Sequence, residues 1–262
     1  MNSHRRVCIL FCIAFICHGA VAQQESGTVI ILSLTRDKAI VAADSRESNG
    51  NDVVVTDQGC KILAFDDKAI FTLSGTRFCE MKDSERGNWN AQGAAISVYK
   101  VLASQTMRVM GSDFIHAWDK EMLRHMNFQL CTGSHLGPHG EVLTALFFDL
   151  DSFNRIEGYA DMVSLHGSRV ETNIVPLTPN GLPMGSGWTD VLDEFLAAVT
   201  PRAKAWHKRI DNYSPERRVQ ALGQLTREFD TSGHVGGNID MAVLTAKGIQ
   251  WISTKTKCQQ QH

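Results

Sequence analysis

Apolar residues along this chain switch between two spacings, and that alternation constrains the fold more than any single motif does. Residues 28–34, TVIILSL, form an almost unbroken apolar run, as a strand covered on both faces requires. After the turn RDK the chain returns as AIVAADS, residues 39–45. CKILAF and AIFTLSG, separated by DDK, read as a second hairpin over residues 60–75. Helical spacing then takes over. Ile96, Tyr99, Leu102 and Val109 recur on one face of residues 94–110, and Phe114, Ile115, Trp118, Met122 and Leu123 share a face after Ser112, a candidate cap.

A loop rich in Gly and His, CTGSHLGPHG, precedes two more strands, VLTALFFDL and NRIEGYA. Two helical segments follow PMGSGW. The first, TDVLDEFLAAV, carries Val191, Leu192, Phe195, Leu196 and Val199 on one side. The second, SPERRVQALGQLTREF, has Ser214 as N-cap and Pro215 at the first helical position. The strands NIDMAVLTA and IQWIST finish the pattern around Lys247 and Gly248. Strands, two helices, strands, two helices, strands is an α+β order. Two antiparallel sheets packed face to face, with a helical layer outside each, would bury every apolar face in a four-layer αββα sandwich. No repeat or low-complexity linker divides the chain, so residues 28–262 read as one domain. The formal charge of −2 gives no reason to expect a nucleic-acid partner.

The first residues read as an export signal. Arg5 and Arg6 precede the apolar run VCILFCIAFIC, and Ala20-Val21-Ala22 fits a small-x-small cleavage site. The run is shorter than the roughly 20 apolar residues of a membrane span, and His18 and Gly19 interrupt it. The expectation is a signal peptide over residues 1–22 and a secreted or periplasmic protein that meets the membrane only during export. Cleavage there would leave Cys60, Cys79, Cys131 and Cys258, which allow two disulfides in any of three pairings, with free buried thiols as the alternative.

The stretch GTVIILSLTRDKAIVAADSR, with CKI and FTLSGT after it, resembles the opening of proteasome β-type subunits and their bacterial relatives among the N-terminal-nucleophile hydrolases. GSG at residues 185–187 resembles the Ser-Gly turn beside the nucleophile of that family, and GGNIDMAVL resembles its penultimate strand. The resemblance implies that Thr28 becomes the amino terminus once a short propeptide, residues 23–27, is removed. It further implies that Asp44 and Arg46 belong to the family's A-D-S/T-R element, that Lys61 is its active-site lysine and that Gly75 is its oxyanion-hole glycine. Ser186 then lies beside the nucleophile, and a homo-oligomer is implied. No metal or organic cofactor is required.

The chemistry can be stated from the residues themselves. A threonine hydroxyl is a poor nucleophile until a base takes its proton. An α-amino group, which ordinarily titrates at about 7.7–8.0, is a free base in sizeable fraction near neutral pH. A chain starting at Thr28 therefore carries nucleophile and base on one residue. A Lys61 ammonium would favour the neutral amine by like-charge repulsion, and Asp44 is the natural carboxylate to hold it. The backbone N–H of Gly75 could receive the tetrahedral oxyanion. The expected activity is hydrolysis of a peptide or small amide through an acyl ester on Thr28.

Taken singly, each residue has a plainer role: Thr28 a strand-starting β-branched residue, Asp44 a turn carboxylate, Lys61 a solvated cation, Gly75 a tight-turn glycine and Ser186 a loop residue. Their shared order and spacing favour the catalytic set. One region departs from the family pattern, with Ser232 and Val235 where an aspartate and a serine usually orient the threonine amine. Asp230 could serve only in a loop of different length. That departure keeps a binding protein with a degenerate site as the rival, and a small-amide acylase as the second. Cys131, His135 and His139 make a poor zinc set, DLDSFNRIEGYA departs from a calcium loop at its fifth, sixth and last positions, and the basic stretch PRAKAWHKRIDNYSPERR reads as helix faces exposed to water.

Overall fold

The computed structural model describes residues 28–48, 54–75, 90–106, 108–125, 141–167, 169–187, 190–198, 200–254 and 258. The signal and propeptide expected over residues 1–27 lie outside them, as do Cys79, Cys131, His135, His139 and Val199. The elements run β1 (Val29–Leu34), β2 (Lys38–Asp44), β3 (Glu47–Ser48), β4 (Val54–Thr56), β5 (Ile62–Phe65), β6 (Ala69–Gly75), α1 (Ala91–Gln105) and α2 (Gly111–His125). They continue with β7 (Glu141–Leu150), β8 (Ile156–His166), β9 (Arg169–Pro176), β10 (Pro183–Gly187), α3 (Asp190–Ala197), α4 (Pro201–Ile210), α5 (Pro215–Phe229), β11 (Ile239–Thr245) and β12 (Gly248–Ser253).

Two five-stranded sheets result, ordered β10-β1-β2-β11-β12 and β5-β6-β7-β8-β9, and every pairing is antiparallel. The two-residue period of a strand then explains the unbroken apolar runs. Ile30, Leu32 and Leu34 of β1 join Val41, Leu244, Ile62, Ile70, Leu146 and Phe148 in a cluster drawn from both sheets. The alternate residues Val29 and Ile31 pack with Leu192, Phe195, Val219 and Leu222 of α3 and α5. In the other sheet Phe71, Leu73, Ala145 and Phe147 pack with Phe114, Ile115 and Trp118 of α2. The protein is thus a mixed α/β structure, its two sheets and five described helices compatible with a sandwich.

The boundaries differ from expectation where tertiary partners decide. Asn90 caps α1 by accepting the Gly93 N–H, so the helix begins earlier than residue 94 and ends before Val109. Ser112 does not cap α2. Asp149 accepts the Gly111 N–H at 3.1 Å, and Phe114 N–H already reaches Met110 O, which starts the helix a residue ahead of Ser112. Three described helices, not two, separate β10 from β11. Thr200 caps α4 through the Ala203 N–H, and Pro201 stands in its first turn. Ser214 caps α5 as its sequence indicates.

Candidate active site

The five candidate residues come to one end of the two sheets through their positions on the strands. Thr28 immediately precedes β1, Asp44 ends β2, Lys61 immediately precedes β5, Gly75 ends β6, and Ser186 lies within β10. Register brings the first two side by side, because Ile30 pairs with Ala43 and Asp44 therefore stands beside the start of β1. On the other flank of β1, Val29 pairs with Gly187 and Ile30 with Ser186. Ser186 is thus a strand residue paired to β1 and not part of a turn.

Asp44 is the hub. Its Oδ1 accepts the Lys61 ammonium at 3.0 Å and the Val29 N–H, one residue from Thr28, also at 3.0 Å. Its Oδ2 accepts the N–H groups of Gly236 at 3.1 Å and Arg46 at 3.2 Å. Thr28, Asp44 and Lys61 are 3%, 1% and 1% exposed, so this ion pair is dry and both partners are fixed. Burial pushes the Asp44 carboxyl up, and the Lys61 charge together with the Gly236 and Val29 N–H groups pulls it back. A buried lysine without its carboxylate would be strongly disfavoured, which sets this pair apart from a surface salt bridge.

Gly187 seals the other wall. With φ of +90°, it lies so close to β1 that an added Cβ would come within 1.9 Å of the Thr28 carbonyl oxygen and 2.8 Å of the Ser74 Cβ. Glycine is required there on both counts. The Ser74 and Ser186 hydroxyls are bonded to each other at 2.8 Å. Ser74 leads directly into Gly75, whose φ is +89° and whose added Cβ would meet the Val142 carbonyl oxygen at 2.3 Å. Thr28, Gly187, Ser74, Ser186 and Gly75 therefore form one connected wall. Ser74 escaped the reading of the sequence, although a polar residue inside the apolar strand AIFTLSG marked it.

The loop after α5 serves the site through its backbone. Besides the Gly236 N–H to Asp44, Ser45 Oγ accepts the Asn238 N–H at 2.8 Å. The Arg46 guanidinium grips Asp57 through Nε at 2.7 Å and Nη2 at 3.2 Å, and Nη1 reaches Gly233 O at 3.0 Å. Asp230 spends its carboxylate within its own loop: Oδ1 accepts the Ser232 hydroxyl and Oδ2 the Val235 N–H at 2.7 Å. Val235 is buried among the residues packed under α5. That a glycine N–H of this loop holds Asp44 was not legible in the chain, because a backbone donor leaves no signature in residue type.

Of the possible disulfides, Cys60 joins Cys258. Among the described residues no group of three or more His, Cys, Asp or Glu side chains is arranged to hold a metal ion. The calcium-like stretch is a strand–turn–strand, with Asp151 accepting the N–H groups of Phe153 and Arg155 across its turn. Among the described residues no helix is long and apolar enough to cross a membrane. No family model matches the chain, and no curated protein matches it either.

Proposed function

We propose that this chain is an exported, self-processed amide hydrolase that uses Thr28 as an N-terminal nucleophile, within a four-layer αββα sandwich like that of the proteasome β-type subunits. One observation carries the reading: a single oxygen of Asp44 accepts both the Lys61 ammonium and the backbone N–H that follows Thr28. An ammonium held dry at the mouth of β1 has little structural purpose, since an apolar pair would cost less there. It has a chemical one.

With Thr28 at the amino terminus, its α-amine accepts the hydroxyl proton as Oγ1 bonds to the substrate carbonyl carbon. Negative charge moves to the carbonyl oxygen, where the Gly75 N–H receives it; such a donor is worth about 2.7–4 kcal/mol of barrier. The C–N bond then breaks, the departing amine takes the proton from the α-ammonium, and an acyl ester remains on Thr28. Water attacks that ester, again giving a proton to the amine, and the acid leaves. Lys61 lowers the proton affinity of the amine and steadies the alkoxide. Processing uses the same hydroxyl on the Gly27 carbonyl, transferring the 23–27 acyl group from nitrogen to oxygen before water releases it. Ser186 and Ser74 orient this wall.

A panel of fluorogenic peptides and acylated amines tests the reading and separates peptidase from acylase. Turnover by the wild type and its loss in Thr28→Ala is the expected result; equal turnover in Thr28→Ala refutes it. The rate should fall below a pH near or under about 7.7 as the amine becomes protonated. A binding protein with a degenerate site is the second reading. It is favoured by Asp230, whose oxygens are taken up by Ser232 and Val235 of its own loop. That protein would keep residues 23–27 and turn over nothing. Assembly into a homo-oligomer is part of the proposal and is read by light scattering.

A further inference from the structure

We infer that Asp57 and Gly236 are positioning residues for Asp44, Asp57 acting through the Arg46 guanidinium, an inference that rests on the role proposed above for the Asp44–Lys61 pair. Asp57 directly follows β4. Its carboxylate accepts Arg46 Nε at 2.7 Å and Nη2 at 3.2 Å, a two-point grip that sets the plane of the guanidinium. The remaining nitrogen, Nη1, donates to Gly233 O at 3.0 Å. One side chain therefore ties the end of β4 to the loop after α5.

Gly236 makes room for that guanidinium. A Cβ there would come within 2.2 Å of Arg46 Cζ and 2.6 Å of its Nη2, so the group lies directly against the glycine backbone. The same glycine sends its N–H to Asp44 Oδ2 at 3.1 Å, and the Arg46 N–H reaches that oxygen at 3.2 Å. Ser45 closes the arrangement, its N–H donating to Gly236 O at 3.2 Å and its hydroxyl to Asp57 O at 2.8 Å. Oδ1 of Asp44 is then turned toward Lys61 and the Val29 N–H, each at 3.0 Å. The Arg46 and Asp57 side chains are 24% and 42% exposed, against 0% and 1% for Asp44 and Lys61. A clamp in contact with water thus holds a dry ion pair. A carboxylate that loses one of the two N–H donors on Oδ2 can rotate, and Oδ1 moves with it. Displacements of about 1 Å in catalytic geometry cost up to about 10²-fold in rate.

The test compares Asp57→Ala, Gly236→Ala and their double variant with the wild type, and with Lys38→Ala, which breaks a part-exposed ion pair elsewhere. Two quantities are read: kcat and KM on the fluorogenic panel, and the titration of the Asp44 carboxyl by carbon-13 NMR, assigned by its absence in Asp44→Asn. Each single variant should lose about ten- to a hundredfold in kcat at constant KM. The double variant should lose no more than the worse single, because both changes release the same guanidinium. The Asp44 titration should move to higher pH, since the Gly236 N–H that favours its ionised form is withdrawn. Removing the Asp57 charge alone would move it lower, so the sign separates lost geometry from lost charge. Asp57→Glu, which keeps a carboxylate for the guanidinium, should restore both quantities, and Lys38→Ala should change neither. An Asp44 titration that stays in place or moves lower in Asp57→Ala overturns the inference. So do kcat losses that multiply in the double variant. If Gly236→Ala does not fold, Arg46→Lys, which lacks the two-point grip, takes its place in the comparison. If the wild type turns over no substrate, the hydrolase reading fails, and the Asp44 titration still decides the positioning role.

Discussion

Lys61 and Asp44 were separately ordinary in the sequence, a lysine after a cysteine and an aspartate after an apolar run. Their pairing makes each indispensable to the other. Lys61→Ala leaves a buried carboxylate without its cation, and removing one partner of a dry pair costs about 3–5 kcal/mol. Urea unfolding should show a loss of that size together with the loss of turnover; a loss below about 1 kcal/mol would mean that the pair is solvated. Gly187 gives a second check. Its φ of +90° and the nearby Thr28 carbonyl predict that Gly187→Ala destabilises by more than about 1 kcal/mol, since alanine is strained at positive φ even before it collides. Serine at position 74 shows why part of the wall was unreadable. Its partner Ser186 lies 112 residues away on β10 of the other sheet, and only the packing of the two sheets brings the two hydroxyls together.

At the scale of elements, legibility followed burial. β1, β2, β6 and β7 are covered on both faces and announce themselves as apolar runs. β9 is a half-exposed edge strand, RVETNIVP, whose mixed polarity hides it. β10 hides behind Pro183, Gly185 and Gly187, residues that normally mark turns. α4 reads in the sequence as a basic, water-facing helix surface but not as a separate helix, because Ala203 and Ile210 are its only fully buried residues, although Thr200-Pro201 is a start signal. The second sheet also carries a pH dependence. Asp161 of β8 is pushed up to about 7 by burial and then by the charge of Asp119 on α2. Asp149 of β7 is pushed up to about 7 by burial, against the pull of Arg108. Between about pH 4, where unfolded aspartate titrates, and pH 7 the folded protein holds protons that the unfolded chain has released. Stability is therefore greatest at the acid end of that window and falls as pH rises, each group adding a slope of up to about 1.4 kcal/mol per pH unit. Asp161→Asn should flatten the decline in unfolding free energies measured from pH 4 to 7; an unchanged slope would contradict the assignment.

For the whole molecule, two sheets face each other across a layer that contains Ile30, Leu34, Val41, Phe148 and Leu244. Phe148→Ala should cost about 3–5 kcal/mol, because both sheets are too rigid to close over the space left behind. Calorimetry should show the melting transition moved down and still single. The mixed α/β class and the antiparallel sheets were legible because alternating strand and helix periods leave few ways to bury every face. The link between Cys60 and Cys258 was not, since four cysteines allow three pairings and composition cannot rank them.

Everything catalytic in the proposal depends on Thr28 being the first residue of the working protein. Intact-mass spectrometry of the protein recovered through its native export route measures this directly. A chain beginning at Thr28, with Thr28→Ala retaining residues 23–27, is the expected result. A wild-type chain that still carries Gln23 to Gly27 ahead of Thr28 would leave no free amine beside the hydroxyl and would contradict the mechanism.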